Sequence, residues 1–223
     1  MYTPPAFAED DPAIIAAIMR ACRLPVLVSA GEAGLEATHL PLLHFPDPAP
    51  HGTLVGHLAR ANRQWHVLRD GAPAMAIFQA HDFYVSPGWY ATKRETGRVV
   101  PTWNYEAVHL QGAVEIIEDP IRLRDIVTAL TDREEAPQPN PWHVDDAPED
   151  FIAAQLKGIV GVVMTVRSVI AKRKLSQNRP PADRAGVIAA LAASGCAEEA
   201  ALMHEREAAA DRPGPEPSPR SRG

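Results

Sequence analysis

The sequence predicts an α+β protein built on a small antiparallel β-barrel, closed or partly open. Three observations carry this. Six or more short β-branched runs follow one another without the strand–helix alternation of a parallel sheet, and the helical periodicity lies mostly towards the ends. Of 223 residues, 22 are proline, about twice ordinary usage, which disfavours a helical bundle. Hydrophobic residues make up 46% of the chain, enough for a core without disulfide or metal staples. Short antiparallel strands leave edges exposed, and closing the sheet removes them.

The first element is a helix. Asp10 or Asp11 caps it, Pro12 suits its first turn, and Ile14, Ile15, Ile18, Met19 and Cys22 share one face. Pro25 marks its exit. The run at 24–30 reads as a strand, Gly31 to Gly34 as a hairpin turn, and 35–45 as the partner strand. Pro46, Pro48 and Pro50 make a loop. Residues 52–59 read as a strand and Asn62 to Leu68 as a short helix. Runs at 74–80 and 83–87 read as two strands with a tight connection, and Ala107 to Ile117 as a long one. Ile121 to Thr131 reads as a helix, 132–148 as a polar loop and Glu149 to Leu156 as a second short helix. Gly158 to Ala171 is a buried strand. Helices follow at 182–193 and 196–209. The tail 211–223 carries four prolines in alternation and is expected to be disordered.

The net charge is −6, which argues against coating nucleic acid by bulk charge. The charge is uneven. Residues 118–150 carry −7, residues 1–117 carry −3 and residues 151–223 carry +4. Cys22 and Cys196 match no CxxC or zinc spacing and read as reduced thiols. MYTPPAF lacks a charged region followed by an apolar one, so no signal peptide is expected. The apolar stretch from Gly158 to Val166 is too short to cross a bilayer. A cytoplasmic protein is expected. No P-loop, GxGxxG, HExxH or helix-turn-helix pattern is present.

Chemistry-bearing residues crowd between His39 and His109, a window that holds three of the four tryptophans. So much His, Trp, Tyr and Asn near strand ends suits a pocket for a planar polar ligand. GHLARAN places His57, Arg60 and Asn62 after a strand and before a helix. An arginine there can pair with a phosphate; a solvated arginine beside a capping asparagine is the plainer alternative. VSPGWYATK offers Trp89, Tyr90 and Lys93, either an aromatic wall with a cation at its mouth or a β-turn with packed aromatics. PTWNY offers Trp103, Asn104 and Tyr105, with His109 four residues on. Ser86 near His81 or His109 lacks the setting of a nucleophile elbow. His39, His57 and His109 share no ligand spacing, so no metal centre is expected. No catalytic set emerges. A second cluster at 170–184 holds Lys172, Arg173, Lys174, Arg179 and Arg184. It suits anion or DNA contact or a clamp on a cofactor, or else it is a solvated basic turn.

Taken together, MYTPPAF, THLP, GHLARANRQW, YVSPGWY-x-x-K, VPTWNYEAVHLQG and KLSQNR, in this order over about residues 1–192, resemble the PaiB-type family of FMN-binding negative transcriptional regulators. Two small departures stand out: FQAHDFYV lacks the small residue and proline common before its histidine, and IAKRKLSQN lacks the glycine common before its lysine. The resemblance implies a split β-barrel of the pyridoxamine-phosphate-oxidase type. It implies a bacterial homodimer with FMN in a groove between subunits. It places His57, Arg60 and Asn62 near the phosphate and ribityl chain, and Thr38, His39 and Leu40 of THLP beside the flavin ring. Trp89, Lys93, Trp103 and Asn104 would complete the groove or the dimer contact, and Lys174 and Gln177 would close it. The implied organisation is a split-barrel domain over 1–192 with a helical insertion at about 120–157, then a C-terminal helix over 193–210. The implied function is FMN-linked repression, by DNA contact or through a partner protein. A flavin-dependent oxidoreductase acting on a small molecule or NAD(P)H is the alternative, and a haem-binding barrel with His39 or His57 as ligand is the weaker third.

Overall fold

The structure, a computed structural model, describes residues 1–48, 50–69 and 71–210. The tail expected to be disordered lies outside the described residues. Among those described, eight strands form one sheet flanked by seven α-helices.

Local sequence explains most of the elements. Two residues, Ala8–Glu9, form β1, too short to leave any periodicity. Helix α1 (Pro12–Ala21) is capped by Asp11, whose carboxylate accepts from Ala13 N at 2.8 Å, and Pro12 pre-sets the first turn. Strands β2 (Val26–Gly31) and β3 (Gly34–His39) form the expected hairpin, with Gly31 opposite Gly34. Gly34 takes φ 113° at the turn, which a residue with a Cβ rarely adopts.

The run 35–45 is not one strand. β3 stops at His39, and β4 (Leu43–Phe45) pairs with β5 (Thr53–Ala59) instead of β2. Pro41 sits at the break, where it has no N–H to give a ladder. The opposite correction applies at 74–87. The two expected strands are one, β6 (Ala74–Val85), because His81 and Asp82 are strand residues with polar side chains and not a turn. Helix α2 (Gln64–Arg69) lies before it, and α3 (Ala91–Thr96), unforeseen, lies after it. β7 (Thr102–Ile117) begins five residues earlier than expected and takes TWNY into the sheet. Helix α4 (Pro120–Glu135), capped by Asp119 accepting from Arg122 N at 2.9 Å, runs into the expected loop. α5 (Glu149–Leu156), β8 (Ile159–Lys174), α6 (Pro181–Ala193) and α7 (Ala197–Ala210) complete the chain.

The sheet order is β3-β2-β6-β7-β8-β5-β4, with β1 also pairing with β8. β3 and β4 end the path without pairing with each other, which is the open sheet of a split barrel. The chain divides into two compact units. The first holds Met1–Ala80 and Glu106–Lys172; the second holds His81–Tyr105 and the described residues from Arg173 onward. The first unit has two apolar cores. One is built from Leu27, Leu54, Leu58, Phe78, Val108 and Val162 with α1 and α2. The other forms where Leu123, Ile126 and Leu130 of α4 and Ile152 of α5 pack on Ile117. The second unit has its own core of Phe83, Val85, Tyr90, Val187, Leu191 and Met203. No helix among the described residues is long and apolar enough to cross a membrane.

Candidate functional site

The twelve residues singled out by sequence divide equally. Thr38, His39, Leu40, His57, Arg60 and Asn62 lie in the first unit. Trp89, Lys93, Trp103, Asn104, Lys174 and Gln177 lie in the second.

In the first unit the turn after β5 ties Asn62 to Thr38. Asn62 Nδ2 donates to Thr38 Oγ1 at 2.9 Å, and Asn62 Oδ1 accepts from Gln64 N at 3.0 Å, which starts α2. Gln64, 1% exposed, donates from Nε2 to Leu27 O at 3.0 Å and Glu36 O at 3.2 Å. Cross-strand pairing puts Leu27 opposite Thr38 and Ser29 opposite Glu36, so Thr38 and Glu36 share a face. Beside this ladder two buried acceptors, Glu36 Oε2 and Gln64 Oε1, have no hydrogen-bond partner. A buried polar atom without a partner is costly, so these two oxygens suit an N–H or O–H brought by a ligand. Sequence reading missed both residues. Gln64 lies within GHLARANRQW, but a glutamine at a helix start reads as solvent-facing.

Arg60 is held differently. Its Nε donates to Lys157 O at 2.9 Å, Nη2 to Ile159 O at 3.2 Å and Nη1 to Glu118 at 2.7 Å. It braces the end of β5 against the start of β8. Three of its five N–H groups are used and two remain. Glu118 also pairs with Arg69, and the two guanidinium groups hold its carboxyl below the usual carboxylate range.

His57 does not join Thr38 and Asn62. Alternation along β5 places it on the face of Val55, which packs against the core beneath α4 and α5. Its Nδ1 is buried without a partner, and burial pushes its pKa down. Leu40 is a core residue, 3% exposed. It passes over β5 at Gly56, where a Cβ would lie 2.6 Å from Pro41 O and 2.8 Å from Leu42 Cδ2. His39 is exposed, opposite Val26. The described residues contain no group of three His, Cys, Asp or Glu close enough to hold a metal ion.

In the second unit, Asn104 is fully buried and exchanges hydrogen bonds with Ser176, at 3.0 and 3.2 Å. Ser176 has φ 63°, the tight turn of KLSQN. Gln177 closes that turn by accepting from Leu175 N at 2.6 Å and donating to Arg173 O. Lys174 Nζ donates to Thr102 Oγ1 and Trp103 O. Asn104, Lys174 and Gln177 thus shape the turn itself. Trp89 ends a short 3-10 turn, and Gly186 packs so close to it that a Cβ would meet Trp89 O at 2.1 Å. Lys93 is exposed on α3, with Nζ beside Gly88. Trp103 is 55% exposed and meets Tyr84 edge-on, with centroids 5.9 Å apart. Tyr90 is buried, and that burial raises its pKa against the opposing charge of Arg179, whose guanidinium lies 4.8 Å from the ring centroid.

The basic stretch 170–184 is not a solvated patch. Lys172 and Arg173 are 7% and 2% exposed, and Lys172 Nζ donates to Tyr2 O at 3.1 Å. Lys174 is bound as above, Arg179 lies over Tyr90, and Arg184 donates to Glu207 at 2.6 Å and Arg179 O at 2.7 Å. These cations serve the fold, so they make a poor surface for phosphates.

Residues 1–168 match the family described as "Putative FMN-binding domain". The chain is 32% identical over 191 residues to the protease synthase and sporulation protein PAI 2 of Bacillus subtilis, covering 86% of this chain and 89% of that one. It is 30% identical over 236 residues to an uncharacterized protein of Aspergillus fumigatus, covering 84% and 89%, so similar chains occur in fungi too. Among solved structures, it resembles the FAD and heme binding protein from Mycobacterium smegmatis, with TM-score 0.57, 16% identity and coverage of 75% and 73%. A conserved hypothetical protein from Mycobacterium tuberculosis gives TM-score 0.57, 15% identity and coverage of 81% and 94%.

Proposed function

The chain belongs to the FMN-binding domain family, with FMN as its cofactor, and we propose that it acts as a homodimeric, flavin-linked negative regulator of transcription. The observation that carries flavin binding is the ladder of Thr38, Asn62, Gln64 and Glu36, with two buried acceptors left over. FMN offers matching donors in its ribityl hydroxyls and its ring N–H, and acceptors for the Thr38 hydroxyl. Arg60, braced on three sides with two N–H groups to spare, is the proposed phosphate contact. Trp89, Lys93 and Trp103 are proposed at the subunit contact. His39, Leu40 and His57 take shaping roles, since one is exposed, one lies in the core and one faces the α4 side. When bound, FMN supplies a redox-active chromophore; the residues above bind and orient it.

Regulation has narrower support: the motif resemblance and a Bacillus relative named for protease synthesis and sporulation. The basic stretch is consumed by internal contacts, which favours action through a partner protein over direct reading of DNA.

The absorption spectrum of the purified protein tests the first half. Flavin bands, or quenched fluorescence on FMN titration, are expected. A colourless protein that does not bind added FMN would overturn the reading. Deletion of the gene in its host, followed by transcript counting, tests the second half. Increased transcripts are expected. Unchanged transcripts, together with bleaching of the bound flavin by NAD(P)H, would point to an oxidoreductase instead.

A further inference from the structure

One cavity of the first unit shares no lining residue with the Thr38–Asn62 ladder. It is a groove of about 590 Å³ along one flank of α1. Its helical wall is Pro12, Ile15, Ala16 and Met19, which recur at i, i+3, i+4 and i+7 and form one stripe. The facing wall is His44 of β4 with Pro46, Pro50 and His51 of the following loop. His44 Nε2 bonds His51 O at 3.0 Å and fixes that wall. Leu110 and Val169 make an apolar floor.

The two ends carry opposite charge. At the N-terminal end of α1 stand Glu9 and Asp10. Glu9 is only 8% exposed, and its Oε1 accepts from Asp10 N and Asp11 N, each at 3.1 Å. Its second oxygen has no hydrogen-bond partner among the described residues. At the C-terminal end stands Arg20, which makes no ion pair among them. There the groove runs on into a hollow of about 230 Å³ that shares Met19, Arg20 and His44 and adds Arg133. From Pro12 to Arg20 the helix advances eight residues, about 12 Å along its axis, with Asp10 two residues before it.

We propose that this groove binds a short peptide with free termini, its ammonium at Glu9 and Asp10 and its carboxylate at Arg20. Charge complementarity at both ends selects this occupant. A monovalent amine or acid would satisfy one end only, and an uncharged ligand would satisfy neither. Three extended residues span about 10 Å, close to the length of helix along which the groove runs. The apolar stripe and floor take the peptide's side chains. The proposal does not depend on the flavin reading, since it uses none of the residues assigned to FMN.

The probe is the tripeptide Leu-Ala-Leu, titrated calorimetrically into the full-length protein as purified, alongside its N-acetylated and C-amidated forms. Saturable binding is expected, weakened at least fivefold by either cap. Arg20→Ala, a surface change, should abolish the penalty of C-amidation and leave that of N-acetylation. Glu9→Gln should do the reverse. Three outcomes would overturn the proposal: no binding of the free tripeptide at millimolar concentration, equal binding of capped and free forms, or displacement of the peptide by FMN.

Discussion

Asn62 holds two elements together with one amide, since its Nδ2 serves Thr38 on β3 and its Oδ1 serves the first N–H of α2. Removing it leaves a hydroxyl and a backbone N–H without partners, each worth about 1 kcal/mol. Asn62→Ala is therefore expected to weaken FMN binding about tenfold or more while the far-ultraviolet circular dichroism stays native. An unchanged dissociation constant would remove this residue from the site. Arg60→Ala tests a different contact. If the two free N–H groups meet the phosphate, FMN should lose affinity and riboflavin should not; equal losses would make Arg60 a brace alone. His57 gives a pH signature. Burial lowers its pKa, so as pH falls through about 6.5 the unfolded chain takes up the proton first. Unfolding is then favoured in acid, and this contribution vanishes above pH 7. His109 acts in the same direction, lowered by burial and by the N-terminal ammonium. The melting temperature should fall between pH 7 and pH 5, and less steeply in His57→Gln. Parallel profiles for the two proteins would contradict the assignment.

The strands are locked to one another where glycine lets two backbones meet. A Cβ at Gly112 of β7 would lie 2.1 Å from Thr165 O of β8, so the strands would have to separate. Gly112→Ala is expected to cost about 2 kcal/mol or more, read as a shift in the denaturant midpoint with an unchanged slope. This is also where the sequence stops being readable. The hairpin of β2 and β3 was legible because Gly31 and Gly34 flank the turn, and α1 because Asp11 and Pro12 announce it. The split of 35–45 was not, because the pairing of β4 with β5 is a tertiary choice that only Pro41 hints at. The single strand at 74–85 hid behind His81 and Asp82, whose polarity resembles a turn. In the candidate site, Thr38 and Asn62 stood inside quoted motifs and the structure joins them. Gln64 and Glu36 were invisible, because a buried polar side chain in a strand or at a helix start carries the same letters as an exposed one. The basic stretch misled for the converse reason: charge read along the chain says nothing of which cations the fold consumes.

At the scale of the molecule, the open question is what meets the aromatic residues left in solvent. In the second unit, Tyr84 and Trp103 are 45% and 55% exposed and form an edge-on pair, with Val100 64% exposed nearby in sequence. Tryptophan and tyrosine are the side chains most often used as anchors in buried interfaces. Their exposure here fits the homodimer proposed above. Sedimentation should then give twice the mass of the 24.2 kDa chain. Placing a carboxylate in such a contact would force a charge into an apolar interface, so Trp103→Glu should shift the protein to monomer. Trp103 lies at the protein surface, so the monomer should stay folded, which separates loss of assembly from loss of structure. If the flavin groove needs both subunits, the variant should also release FMN, with the two losses following the same dependence on protein concentration. A wild-type monomer that binds FMN fully would remove the dimer from the account and leave the Thr38–Asn62 ladder to hold the flavin alone.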